Sequence, residues 1–428
     1  MTKPTSGTFS RRPIVLMLFM LGLFWAGSLV LFQNGASSDL FALWLAADAF
    51  GSGQLQSIYP PAGEVFLMHP PLSWVAEAQA LGQPGPYFPY IYPPLFAALL
   101  SPATEVMNFA QFQTVFSYVN AFLLCGTIPL AMRASRLDMA PVAYLAIAIG
   151  LSSISTVSLL ATHENQPQIL VTFLMVLALE RTMSGRSGAA GAVLACAAAI
   201  KVYPAFFMLV FLLRRDLRAV IFFFVVGTFL GGLSIVLAGW PLHQIFLDQL
   251  ATISRTVLVN TISLNLNSLW AATVLNDKLE FVRAVGASQS AGEAVGWHII
   301  RKTDLWGILG MVGLAAVVFA AAIRSARNAL PPISVLVGMI CAASLLLPMS
   351  WSYYFYIAIA FAPLLIDRYG IALGSLIILA GLGPTFILVP SQITQLSGWK
   401  FADLFAATSG MVLVSIAFLF APSARTRP

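Results

Sequence analysis

Apolar runs of roughly 18 to 22 residues recur from one end of this sequence to the other, the length a helix needs to cross ~30 Å of hydrocarbon. The first, VLMLFMLGLFWAGSLVLF, occupies residues 15–32. Inside a bilayer each such segment must satisfy its own backbone N–H and C=O groups, which a helix does and an open strand does not. Strands of a membrane barrel would alternate apolar and polar residues, and these runs do not alternate. With 59% hydrophobic and 9% charged residues, the chain lies far from the ~25% charge usual for soluble domains. The reading is an all-α integral membrane protein. Its first apolar run follows Arg11 and Arg12 as a signal peptide would, but it is long and lacks a small-residue cleavage site, so it reads as a retained helix.

Windowed hydropathy predicts about twelve transmembrane helices, beginning near residues 14, 108, 139, 168, 187, 203, 219, 305, 332, 353, 370 and 402. With both termini inside, the short inner loops carry fifteen of the 22 Lys and Arg residues. The other seven, Lys201 among them, lie outside, so the positive-inside rule fixes the orientation. Residues 1–428 form a single polytopic membrane domain with two enlarged extracytoplasmic segments, 33–107 and 240–304. Long loops tend to carry function. In the first, Phe41, Trp44, Leu45 and Asp48 recur at helical spacing, predicting a helix along the membrane surface. The short run LFAALLSPA further on reads as a re-entrant element.

The pI near 9.3 comes from scattered loop cations, not from a basic cluster interleaved with aromatics, so nucleic acid is not a partner. Cys125, Cys196 and Cys341 stand in separate runs, and His69, His243 and His298 form no ligand motif. Neither a disulfide framework nor a metal site is indicated, and no cofactor is expected.

The unusual polar residues collect on the predicted outer face. Asp39 follows the first crossing, and His163, Glu164, Asn165 and Gln166 fill the turn between the third and fourth. Lys201 divides the fifth from the sixth, Asn265 and Asn267 lie in the second long segment, and Trp351, Tyr353 and Tyr354 form the turn before the tenth. Each has a plainer role open to it: Asp39 as a helix cap, Lys201 snorkelling to headgroups, the tyrosines as interfacial belt residues. Their common location is the stronger signal, because ionisable groups at membrane depth cost ~2.5 to 3.5 kcal/mol.

A cation on that face suits a phosphate presented at the membrane surface, and a carboxylate beside it suits removal of a proton from an incoming hydroxyl. Inverting glycosyl transfer needs both. Asp39 would be the catalytic base, while Lys201 and Tyr203 would bind the donor phosphate. Asp48, the HENQPQ turn, Asn265, Asn267, Trp351, Tyr353 and Tyr354 would hold sugar hydroxyls and apolar sugar faces. No Gly-rich phosphate loop is present, which disfavours a soluble nucleotide donor.

Four segments, SDLFALWLAADAF with its following IYP, FPYIYPPLFAALLSP, HENQPQILVTFLMVLALER and AGAVLACAAAIKVYPAFFMLVFLLRRDLR, resemble in order those of glycosyltransferase family 87. That family includes mycobacterial polyprenol-phosphate-mannose-dependent alpha-mannosyltransferases. The resemblance implies a GT-C fold in a bacterial plasma membrane and an active site on the extracytoplasmic side. It also implies a mannose or other hexose donated from a polyprenyl phosphate to a lipid or glycan acceptor, and it makes Asp39 the base. Where family members often have a glycine this chain has the HENQPQ turn, and where they carry a late histidine pair it has Tyr353 and Tyr354. The rival reading is a secondary transporter or flippase of a lipid-linked or anionic substrate. A transporter would be expected to carry mid-membrane charges on broken helices in repeated halves.

Overall fold

The computed structural model describes residues 11–287, 295–327, 332–384 and 400–422. Helix α1 (Arg11–Gln33) turns tightly into α2 (Ser38–Gly51); α3 (Ala62–Phe66), α4 (Leu72–Ala80) and α5 (Pro94–Val106) complete the first enlarged segment. Helix α6 (Phe109–Ser135) starts at a capping box in which Asn108 and Gln111 satisfy each other's backbone N–H groups. Then come α7 (Pro141–Ile154), α8 (Thr156–His163), α9 (Gln168–Met183), α10 (Ser187–Ile200) and α11 (Met208–Leu213). Helix α12 (Leu217–Arg255) runs for 39 residues with a kink at Gly239, whose φ of 76° suits a residue without a Cβ. The remainder is α13 (Leu266–Val274), α14 (Asp304–Ala326), α15 (Ile333–Leu346), α16 (Tyr356–Phe361), α17 (Pro363–Tyr369), α18 (Ile371–Leu382) and α19 (Ala402–Leu419).

Every predicted crossing contains helix among the described residues, but not every one is long enough to be a full span. Among the described residues, five helices are long and apolar enough to cross a membrane: α1, α6, α12, α14 and α19. The pair α7 and α8, bent by 63° at Ser155, makes a sixth if counted as one span. Among the described residues five or six candidate spans therefore stand where about twelve were expected, and the other apolar segments form shorter helices of 10 to 17 residues. Hydropathy windows average across breaks that the backbone respects: α10 has 14 residues, about 21 Å at 1.5 Å per residue, and stops at Lys201. The apolar segment after Lys201 begins as a 3-10 turn at Tyr203–Phe207, and the segment near 353 is divided by Pro363.

Two further expectations change. Helix α2 does not lie on a surface, since Leu40 to Ala47 are all buried. Phe41, Trp44 and Leu45 mark one face, but Leu40, Ala42, Leu43, Ala46 and Ala47 make the opposite face apolar too. A helix apolar all round is an interior helix, and α5 covers it. The fold is also not purely helical. Strands β1 (Thr256–Val259), β2 (Glu280–Arg283) and β3 (Gly296–Arg301) form an antiparallel sheet in the order β1-β3-β2. Val257 faces Ile300 and Phe281 faces His298 in its register. Leu258, Val282, Trp297 and Ile299 pack inward on Met68 and Met349, joining the two enlarged segments.

The long helices present exposed apolar side chains outward, Phe229, Val236 and Leu309 among them, as a lipid-facing wall requires. At one end of the bundle arginines collect: Arg133 and Arg181 pair with the buried Glu180, Arg136 reaches the Met183 carbonyl, and Arg214 the Ser325 carbonyl. The opposite end carries the polar constellation.

Candidate active site

The turn between α8 and α9 organises this end. Asn165 takes a left-handed conformation, φ 48°, which asparagine tolerates better than most residues. It is anchored to α6: Asn120 Nδ2 donates to its Oδ1 at 2.7 Å, and its Nδ2 donates to Ser117 Oγ at 3.1 Å. The turn then grips the start of α2. Ser37 N–H donates to the His163 carbonyl at 2.9 Å, and Ser38 N–H donates to Glu164 Oε2 at 3.1 Å. Glu164 thus serves as an N-terminal cap supplied from 126 residues away, at the end of the helix that favours an anion. The approach is so close that a Cβ on Gly35 would stand 2.3 Å from the His163 carbonyl oxygen. Only glycine fits.

Asp39, in the first turn of α2, is delivered to Gln166 by this clamp. Gln166 Nε2 donates to Asp39 Oδ2. Gln166 Oε1 accepts from the Tyr92 hydroxyl at 2.6 Å and from Gln168 N–H at 3.2 Å. Tyr92 is held in turn by the Tyr59 hydroxyl, which donates to its carbonyl at 2.7 Å.

Lys201 ends α10 and is buried. Three tyrosine rings surround its Nζ, with centroids 5.2 Å away for Tyr92, 5.3 Å for Tyr353 and 4.7 Å for Tyr354. Their faces favour a cation. Among the described residues no carboxylate lies within ion-pair distance of it, yet its charge and that of Asp39 act on each other. Burial pushes the Asp39 carboxyl up, and Glu164 adds to this, while Lys201 and the Gln166 hydrogen bond pull it back. Burial likewise pushes the Lys201 amine down, with Asp39 opposing.

Two spaces meet here. A cleft of about 50 Å³ is lined by Asp39, Glu164, Gln166, Tyr92, Phe88 and Tyr353. An apolar cavity of about 280 Å³ is lined by Lys201, Tyr203, Phe206, Phe246, Met311 and Leu314. Ile91 and Trp351 line both. A further space of about 260 Å³ between α11 and α14 shares Phe206, Met311 and Leu314 with the large cavity, so the apolar groove continues along these helices.

The other residues singled out from the sequence take varied positions. The Tyr203 ring lines the large cavity, but its hydroxyl accepts from Gln168 Nε2 at 2.8 Å and donates to Met175 Sδ. Asp48, nine residues along α2, acts on Glu77 of α4 and lines neither space. Asn265 caps α13 through Ser268 N–H, and Asn267 binds the Leu347 carbonyl and Trp306 Nε1, so both serve the architecture of the second segment. His163 is exposed, with Nδ1 3.0 Å from Glu164 Oε1. Both Glu164 oxygens are thereby engaged. Tyr92, which sequence reasoning did not single out, lies at the centre of the site. The tyrosine-proline run FPYIYPP was its signal.

The model of glycosyltransferase family 87 matches residues 90–348, more than half of the 428. The chain belongs to glycosyltransferase family 87. The matched region holds Tyr92, the HENQPQ turn, Lys201 and both asparagines, while Asp39 and the Trp351–Tyr354 turn flank it. No curated protein matches the chain. This family 87 protein is accordingly a membrane glycosyltransferase, moving a sugar from a donor to an acceptor, and its apolar helices agree with that setting.

Proposed function

We propose that this glycosyltransferase moves a hexose, mannose being the first candidate, from a polyprenyl-phosphate donor to a lipid or glycan acceptor. The observation that carries the reading is the position of Lys201. It stands where an apolar groove, made of two adjoining spaces of about 280 and 260 Å³, meets a small acidic cleft of about 50 Å³. A donor with its tail along Phe206, Met311 and Leu314 would bring its phosphate to the Lys201 ammonium. The Tyr353 and Tyr354 hydroxyls, which bond to nothing among the described residues, would lie beside it.

In the reaction the acceptor oxygen attacks the anomeric carbon and its proton passes to the Asp39 carboxylate. The bond from that carbon to the phosphate oxygen breaks, its electron pair stays on the phosphate, and configuration inverts. Negative charge grows at the phosphate as the bond breaks, so a fixed cation there stabilises the transition state more than the ground state. Asp39 Oδ2 is occupied by Gln166, while Oδ1 has no hydrogen-bond partner among the described residues and is free to take the proton.

The excess of Lys and Arg at the opposite end supports an extracytoplasmic site, with a GT-C architecture in a bacterial plasma membrane. Family membership weighs against the transporter or flippase reading. The test is purified Asp39→Asn given polyprenyl-phosphate hexoses. Transfer should fall by ~10² to 10⁴ with donor binding retained, the range for loss of a general base. Turnover within a few fold of wild type would end the assignment of Asp39.

A further inference from the structure

Gln166 occupies the acidic cleft, yet little of its amide is left for a sugar. The backbone N–H of Gln168 can only donate, and it meets Gln166 Oε1 at 3.2 Å, with the Tyr92 hydroxyl on the same oxygen at 2.6 Å. The amide therefore cannot be turned over without setting its NH2 against a backbone N–H. Its Nε2 is committed to face Asp39 Oδ2.

We infer that Gln166 is a positioning residue for the proton-accepting carboxylate, and that Tyr92 and the Gln168 backbone hold its amide in the one orientation that donates to Asp39. The device does two things. A donor fixed on Oδ2 sets the carboxyl plane and turns Oδ1 toward the cleft, and a donor that cannot become an acceptor favours the ionised carboxylate over the acid. That second effect matters because the other groups facing Asp39 do not all help. Glu164, paired with His163, opposes its ionisation, whereas Lys201 favours it. Tyr92, Tyr353 and Tyr354 close the site from the remaining sides. Without Gln166 the carboxylate would face Glu164 with Lys201 as its only counterweight.

The inference rests on Asp39 being the base, and the experiment separates the two. The pH dependence of kcat/KM is measured for wild type, Gln166→Met, Tyr92→Phe and Asp39→Asn with a polyprenyl-phosphate hexose donor, each variant first checked for cooperative thermal unfolding. Gln166→Met keeps the length and removes the donor. Its acid limb should move up by about one pH unit, a roughly tenfold loss on the acid side that shrinks as pH rises. Tyr92→Phe keeps the ring beside Lys201 and removes only the hydroxyl, so its limb should move the same way by less. A uniform loss at every pH in Gln166→Met, or an unmoved limb in both folded variants, overturns the positioning role. Wild-type activity in Asp39→Asn would instead remove the base assignment on which it stands.

Discussion

Replacing Lys201 by Met separates a phosphate-binding lysine from one that merely reaches for the headgroups. Methionine keeps the length and apolar stem within the three tyrosine rings, where its sulfur makes favourable aromatic contacts, so the cage should stay filled. A hydrogen bond to a charged group is worth ~1.5 to 3 kcal/mol, and at ~1.4 kcal/mol per tenfold this predicts a ~10- to 150-fold drop in kcat/KM. A second signature follows from the neighbouring carboxyl. Lys201 holds the Asp39 pKa down against burial, so its loss should move the acid limb of the pH profile upward. Melting temperature should not fall, because the variant removes a buried cation that has no ion-pair partner among the described residues. The assay is transfer from a radiolabelled polyprenyl-phosphate hexose by purified enzyme in nanodiscs, with Lys201→Arg as comparison. Arginine keeps the charge but not the compact geometry, and should retain a measurable fraction. A Met variant within about threefold of wild type at equal expression, with an unmoved acid limb, would refute the phosphate role.

Two other outcomes follow from the same arrangement. A cysteine at Glu164 should react with a membrane-impermeant thiol reagent only from the extracytoplasmic side of oriented vesicles; reaction solely from the cytoplasmic side would reverse the orientation. Met311→Trp should narrow the groove where its two parts join and raise KM for long-chain donors while sparing short ones, and an equal effect on both lengths would exclude the groove as the tail site.

Much of the site was legible as a collection of residue types. Asp39, the HENQPQ turn and Lys201 stand out because each breaks an apolar pattern at an energetic cost, and such costs are readable one residue at a time. Tyr92 was hidden for the opposite reason. A tyrosine in a proline-rich loop breaks no pattern, and its value lies in a hydroxyl bonded to Gln166 and a ring beside Lys201, partners 74 and 109 positions away in the chain. Asn265 and Asn267 show the other side of this, since polar residues in a long loop look unengaged until their capping partners are seen.

Composition and local pattern were enough to read a helical membrane protein, its polar end and the charges that are out of place, because the hydrophobic effect and the cost of burying charge act residue by residue. The remaining features came from how the chain packs. Helix lengths fell short of full spans because breaks at Lys201, Ser155 and Pro363 are matters of backbone geometry that window averages erase. The burial of α2, the three-stranded sheet and the orientation of the Gln166 amide depend on which distant segments meet, and one-dimensional periodicity carries no information about that.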